Sequence, residues 1–406
     1  MIAASTYRRT VESYVGGVLA GDIVAGVRVR KACERHQRDI DRQASDDDFP
    51  YEMDWKGAAE NACSFFPVGL RHWHGRWAGQ PFTLEPWQAF IVASLFGWKR
   101  ADGTRRFRKA YVSVARKNGK TELAAGVMLL MLTSAGEQGA QVFAGATKQE
   151  QAALVHRAAE GMVRSSPGLA RQITINKLNM HVERTASYMR PLGSDKPFDG
   201  LGPSCVTFDE LHAWKEQHRG FYDSMRTGGA ARTQPLELSI TTAGNDKSLL
   251  WIEADDYARQ VVAGDIVDDT LFGFVASIDG EDDPFDESVW EKANPNLGVS
   301  VSVEYLREQA REAQAKPTAK NAFVRFHCNR RTSSVEDAIT AELWDAARGE
   351  LSDWKGSDYV GGGIDLGGRD DLAGMAHCSR FPVGQTEDEK PLWRYEIRAR
   401  GFMSEG

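Results

Sequence analysis

Residues 110–133, AYVSVARKNGKTELAAGVMLLMLT, leave this chain few folds to choose from. A β-type run breaks into a short basic turn containing one glycine, and an apolar helix follows at once. That is the layout of a phosphate-binding loop. Backbone N–H groups around Asn118 and Gly119 would face a phosphate, and the positive end of the helix dipole would favour its charge. In such a loop Lys120 reaches the β- and γ-phosphates and the Thr121 hydroxyl sits on Mg²⁺. The usual spacing asks for a glycine where Val114 stands, so on these residues alone a basic surface turn at a helix start is an equal alternative.

A second stretch tips that balance. Residues 204–214, SCVTFDELHAW, read as a buried strand that delivers two adjacent carboxylates, Asp209 and Glu210, at its C-terminal end. Open α/β sheets present their ligand groups there. The first acid can hold a nucleotide's Mg²⁺ through water, and the second can orient the attacking water or take its proton. By itself the pair could equally start a helix, where two acids suit the dipole. Residues 235–244 (PLELSITTAG) add a strand ending in hydroxyls and a glycine, a composition able to feel a γ-phosphate. A helix opening at Leu84-Glu85-Pro86-Trp87-Gln88 carries a glutamine whose amide could pair with an adenine edge, or could be plain surface.

Composition excludes several classes. The 406 residues, 42% hydrophobic, suffice for two or three domains with real cores. No run of about 18 apolar residues exists and the N-terminus lacks a signal-peptide core, so a soluble, intracellular protein is expected. Five scattered cysteines suit free buried thiols rather than disulfides or zinc. His72 and His74 lack a thiol or carboxylate at ligand spacing, which argues against a metal there. The net charge of −7 gives no general affinity for nucleic acid. Any such contact needs a local surface, and Lys99, Arg100, Arg105, Arg106, Arg108 and Lys109 offer either a phosphate-contacting cluster or a solvated hairpin around Ala101-Asp102-Gly103.

Elsewhere the pattern predicts helix over 1–45, with Val15, Leu19, Ile23 and Val27 on one face, and a strand at 140–146. Thr147 and Glu150 form a capping-box pattern for a helix through 164. Short strands follow at 172–176, 180–185 and 188–192, then a helix over 246–263, a strand at 272–278 and a small helical segment around Asn294-Pro295-Asn296. From residue 358 the sequence YVGGGIDLGGRDDLAGMAHCSR suggests strands around a glycine turn. An acid at Asp365 on the central strand is how ribonuclease H-type nucleases present their first metal ligand; a glycine-rich hairpin with solvated acids is the alternative.

Taken in order, WAGQPFTLEPWQ, GTRRFRKAYVSVARKNGKT, CVTFDELHAW, ARTQPLELSITTAG, ANPNLG and GGIDLGGRDDL resemble the large terminase subunit of tailed phages, from about residue 11 onward. The resemblance implies a P-loop ATPase of the additional-strand catalytic-glutamate type, followed by the start of a ribonuclease H-like nuclease domain. It implies that Gln88 contacts adenine and that Arg116, Lys117, Asn118, Gly119, Lys120 and Thr121 form the phosphate loop, a basic residue there replacing the missing glycine. Asp209 and Glu210 become the Mg²⁺-binding and catalytic acids, and residues 241–244, with Thr241 and Thr242, the coupling motif. Asp365 becomes the first nuclease ligand for Mn²⁺ or Mg²⁺.

The expected organisation is a helical segment at 1–80, an ATPase core at 81–278, a lid at 279–335, and a linker with the incomplete nuclease at 336–406. ATP-driven translocation of double-stranded DNA in the cytoplasm of an infected bacterium is implied, with the small terminase subunit and the portal protein as partners and a homo-oligomeric ring at work. In such a ring an arginine in trans, Arg232 first and Arg226 second, would stabilise the transition state. Nuclease activity is not expected from Asp365 alone, because two metals need several carboxylates; Asp370, Asp371, Glu387, Asp388, Glu389 and Glu396 are the remaining acids. A helicase-like ATPase without nuclease function and a non-catalytic DNA-binding or capsid-assembly protein remain as alternatives.

Overall fold

Alternation along buried strands sorts side chains onto the two faces of one sheet. In the strand before the basic loop, Ala110 and Val112 enter one core while Tyr111 enters another; in the next, Val142 and Ala144 oppose Phe143. The computed structural model describes residues 6–134, 136–196, 200–333, 346–365, 373–385 and 390–402. The chain divides into two units, residues 1–336 and 337–406.

In the first unit β1 (Tyr51–Met53) and β2 (Trp98–Arg100) pair antiparallel. The main sheet takes β3 (Lys109–Ser113), β4 (Gln141–Ala146), β5 (Thr174–Ile175), β6 (Met180–Val182), β7 (Ser187–Gly193), β8 (Cys205–Asp209), β9 (Leu236–Thr241) and β10 (Leu271–Val275). Their order is β10-β3-β9-β8-β4-β7-β6-β5. Strands from β10 to β7 run parallel and the last two antiparallel. Strand β9 stands between β3, which feeds the basic loop, and β8, which ends in the acids. This is the additional-strand order, and it brings the C-terminal ends of β3, β9 and β8 side by side, Ser113 opposite Thr241 and Asp209 opposite Ile240.

On one face lie α1 (Thr6–Ala20), α2 (Val27–Ser45), α3 (Glu60–Gly69), α4 (Pro86–Gly97), α5 (Lys120–Thr133) and α6 (Gln149–Ser165). Helix α4 is buried from Trp87 to Gly97, and α5 from Leu123 to Leu132, so both are apolar all round as interior helices must be. The predicted single helix over 1–45 is two helices. Gly21, at φ +88°, breaks it, and the buried stripe is Val11, Val15 and Val18 while Ile23 and Val27 are exposed. The predicted capping box at Thr147 does not form: the Thr147 hydroxyl turns to Gln151, and Lys148 precedes α6. Cys33, Cys63, Cys205 and Cys328 are free and buried.

The basic run is a hairpin whose arginines point inward. Arg106, 2% exposed, is held by Asp39 at 2.8 Å and Asp269 at 2.6 Å and lies over the Tyr51 ring. Arg105 is buried against Gln234. A cluster presenting all six cations to DNA is therefore corrected: two of them are interior.

A third core gathers Ala115 of the loop with Ile278, Trp290, Ala293, Leu306 and Phe323, so residues 278–328 pack onto the basic loop itself. In the second unit β11 (Tyr359–Asp365), β12 (Ala373–Gln385) and β13 (Pro391–Phe402) form an antiparallel sheet with β12 in the middle. Among the described strands Asp365 thus ends an edge strand, where a central one was expected. β11 is exposed over most of its length.

Candidate active site

Loop 114–119 leaves the buried strand β3 and must turn back into α5, and two left-handed residues make the turn: Lys117 at φ +68° and Gly119 at φ +80°. Gly119 is the residue before the helix; a Cβ there would be strained by that φ and would come within 3.6 Å of Gln88 Nε2. Lys120 opens α5 and is 6% exposed. Its ammonium folds back onto the loop, 3.2 Å from the Val114 carbonyl, 3.5 Å from that of Ala115 and 2.6 Å from Thr242 Oγ1. Burial lowers the Lys120 pKa, and Glu210 and Asp209 oppose the shift.

The Asn118 side chain does not face the cavity but zips the loop to the 294–296 turn. Its Nδ2 donates to the Ala115 carbonyl at 3.1 Å and to Asn294 Oδ1 at 3.0 Å, and its Oδ1 accepts from Asn296 N at 3.0 Å. Asn296 Nδ2 donates to the Asn118 carbonyl at 3.2 Å, and Asn296 Oδ1 accepts from Trp87 Nε1 at 2.6 Å. Arg116 N donates to the Phe326 carbonyl, and its guanidinium lies 3.4 Å from the centre of the Phe326 ring. Asn329, itself at φ +51°, ties Ser113, Ala276 and Ala243 together at the ends of β3, β10 and β9.

β8 ends with Asp209, buried, its Oδ1 without a hydrogen-bond partner. Burial and then the neighbouring Glu210 push its pKa up. Glu210 leaves the strand in the left-handed region, φ +49° and ψ +50°. Burial would raise its pKa too, but the His212 ring, Lys120 and Arg116 outweigh this and hold the Glu210 carboxyl below the usual range. The two adjacent acids are thereby shifted in opposite directions, Asp209 up and Glu210 down. Thr241 and Thr242 are fully buried at the end of β9.

These elements surround a cavity of about 940 Å³, lined by Gln88, Arg116, Lys117, Gly119, Lys120, Thr121 and Glu210. Its other wall is aromatic, His72 lying between Trp77 and Phe82. Gln88 reaches it less freely than its sequence position suggests: Oε1 already accepts from Glu85 N at 3.0 Å as part of the α4 cap, leaving Nε2 and one lone pair. The orphaned carboxylate oxygen of Asp209 and the hydroxyl of Thr121 on the cavity wall are both oxygen donors, the kind that fits Mg²⁺.

The two arginines expected to act in trans stand away from this chain's own cavity. Arg232 lies near the N-terminal ends of β4 and β8, bonded to the Gly202 and Gly139 carbonyls and to Glu137 at 3.2 Å. Arg226 pairs with Glu237 at 3.0 Å. Asp365 belongs to the second unit. There Glu396 is tied to Ser352 and Arg394, and pairs with Ser379 five residues along β12 from Gly374, the partner of Asp365. That is about 17 Å of strand, too far to share a metal. Asp370, Asp371, Glu387, Asp388 and Glu389 lie outside the described residues. Among the described residues no three His, Cys, Asp or Glu side chains form a metal cluster, and no helix is long and apolar enough to cross a membrane.

Asn329 and His212 have no assigned role in the sequence reading, and Asn294 and Asn296 enter it only as part of a turn. The Asn-Pro-Asn spelling was the visible signal for these two, but it reads as a turn until the loop it clasps is known.

The family model for the terminase large subunit ATPase domain matches residues 86–260, and that for the terminase large subunit endonuclease domain matches 265–382. The large terminase subunit of Enterobacteria phage HK97 is 30% identical over 306 residues, 74% of this chain and 58% of its own length. Protein YmfN of Escherichia coli strain K12 is 38% identical over 136 residues, 32% of this chain and 28% of its own. The crystal structure of the HK97 large terminase superposes with a TM-score of 0.59 at 27% identity, covering 84% of this chain and 67% of the other. The chain thus spans little more than half of the HK97 sequence it matches.

Proposed function

The chain belongs to the terminase large subunit family, and from that premise we propose that it is an ATP-hydrolysing motor that drives double-stranded viral DNA into a procapsid. One observation carries the reading: Lys120, Glu210 and Gln88 converge on a single cavity at the ends of β3, β9 and β8. Lys120 leaves two loop carbonyls and Thr242 for the β- and γ-phosphates, exchanging neutral acceptors for charged ones that bind it more strongly. Glu210, held charged, accepts a hydrogen bond from the water that attacks in line. Mg²⁺, when bound, supplies the charge that offsets the phosphate oxygens. Thr121 and Asp209 are the residues that would hold it, and Gln88 Nε2 faces the adenine.

Residues 81–278 form the ATPase in this reading, 279–335 a lid, and 336–406 the beginning of a metal-dependent endonuclease with Asp365 as its first ligand for Mn²⁺ or Mg²⁺. The small terminase subunit and the portal protein are the partners, and the host cytoplasm is the place of work. A ring with an arginine in trans asks Arg232 to leave Glu137, or Arg226 to leave Glu237, before either can reach a neighbour.

ATP turnover and analogue binding, with DNA present, test the assignment. Lys120→Ala is expected to lose both. Glu210→Gln is expected to bind nearly as the parent does yet lose about 100-fold or more in turnover, because Glu210 acts only on the transition state. Equal loss of binding in the two variants contradicts the roles given.

A further inference from the structure

We propose that His212 is a positioning residue for hydrolysis: one imidazole N–H serves the Glu210 carboxylate and the Thr241 hydroxyl in turn, passing the position of the glutamate to the end of β9. The inference rests on the ATPase reading above. Nδ1 of His212 stands 3.0 Å from Glu210 Oε2 and 3.4 Å from Thr241 Oγ1. A single N–H cannot align with both, since hydrogen bonds weaken steeply away from linearity. In the present arrangement Glu210 Oε2 has no aligned donor and the Thr241 contact is long, so the ring sits between its two partners.

The surroundings fix the ring's main chain and leave the choice of partner to the side chain. His212 N donates to Thr241 Oγ1 at 3.1 Å, and its carbonyl accepts from Ser248 Oγ at 2.8 Å, where helix Leu249–Ala263 begins. The Thr241 hydroxyl spends its own proton on the Thr242 carbonyl at 2.8 Å, so toward His212 it can only accept. Thr242 Oγ1 in turn receives Lys120 Nζ. A continuous path therefore joins Glu210 to Lys120 through His212, Thr241 and Thr242, along residues that Glu210 alone does not reach.

Glu210 itself sits in a left-handed conformation, which a non-glycine residue keeps only where its surroundings hold it. Its carboxylate is turned to His212. When it turns to the attacking water, the N–H is released to Thr241; when it returns, the N–H is withdrawn. No proton leaves the histidine, so the event is an exchange of hydrogen-bond partner, sensed by the strand end that also touches the phosphate-loop lysine.

Steady-state ATP hydrolysis by the whole chain with DNA, together with binding of a fluorescent ATP analogue, tests this on His212→Ala and His212→Asn. The asparagine amide places an N–H close to the imidazole Nδ1. The alanine variant is expected to lose about 10- to 100-fold in kcat. Its KM and analogue affinity should stay within about twofold, the signature of an interaction used in the transition state. The asparagine variant should recover much of the loss, which a packing role would not allow. If the alanine variant melts before assay, Thr241→Val must show the same fall in kcat at constant KM. A parental kcat in His212→Ala or Thr241→Val, equal impairment of the two His212 variants, or a loss that appears in KM overturns the proposal. A parent chain that neither binds the analogue nor turns over ATP overturns the ATPase reading and this inference together; turnover in the parent with unaltered variants overturns this inference alone.

Discussion

A single asparagine shows how the phosphate loop is made rigid without its usual first glycine. Asn296 closes a buried circuit, accepting from Trp87 Nε1 and donating to the Asn118 carbonyl, while its own N–H binds Asn118 Oδ1. Asn296→Ala removes the acceptor of Trp87 Nε1 and the side-chain donor to the Asn118 carbonyl, at a cost of about 1–3 kcal/mol for such a group, while the main-chain N–H of residue 296 still serves Asn118 Oδ1. It also frees Lys117 and Gly119 to leave the left-handed region. We expect ATP affinity to fall about tenfold, read by analogue titration, with a lower Tm; a loop pre-ordered at the parental level would show an unchanged dissociation constant. Arg106 makes the complementary point. It looks like a DNA contact in a string of cations, yet two aspartates remote in sequence, Asp39 and Asp269, claim it, and no local pattern announces them.

Among elements, the close approach of α3 and α5 depends on one missing side chain. A Cβ on Gly126 would lie 2.4 Å from Phe66 Cε1 and 3.1 Å from Leu70 Cδ1, and Phe66 is fully buried with nowhere to swing. Alanine improves helix propensity by about 1 kcal/mol, but overpacking a filled core costs about 1–3 kcal/mol. The net expectation for Gly126→Ala is a lower Tm; a rise would mean that α3 and α5 can part without loss. Such contacts were not legible beforehand, whereas the elements themselves largely were. Strands β3, β4, β8 and β9 are buried on both faces, so their apolar runs carry through, and the loop and acid pair at their ends follow from strand polarity. What failed was local: Gly21 broke a helix that apolar spacing carried through, and Thr147 bonded Gln151 instead of capping. The clasp of residues 293–296 on the loop failed to show for a different reason. It joins segments nearly 180 residues apart, and no spacing rule reaches that far.

For the first unit as a whole, two buried histidines set how it meets acid. His36 sits among Trp55, Phe90 and Trp98 in edge contacts of 6.1, 5.4 and 5.8 Å, and accepts a hydrogen bond from Trp98 Nε1 at 3.3 Å. Burial, then the charge of Arg106, pushes it down to about 4. His327 lies against Tyr305 and Phe323, and burial, then Arg116, takes it to about 4 as well. Each folded value is below the unfolded one of roughly 6.5, so the unfolded chain takes up the proton first. The stability each neutral ring contributes is therefore complete above about pH 6.5 and drains away as the pH falls through 4, by up to about 3 kcal/mol per histidine. His36→Gln keeps an acceptor for Trp98 but cannot titrate. Because Asp209, raised by burial, works in the opposite sense, the diagnostic is the difference between variant and parent rather than either curve alone. Thermal melts between pH 7.5 and 4.5 should show that difference shrinking or reversing as the pH drops, the variant being the less acid-sensitive protein. Parallel curves across the range would mean that His36 is protonated in the fold as readily as in the unfolded chain, and that the aromatic cage around it admits water.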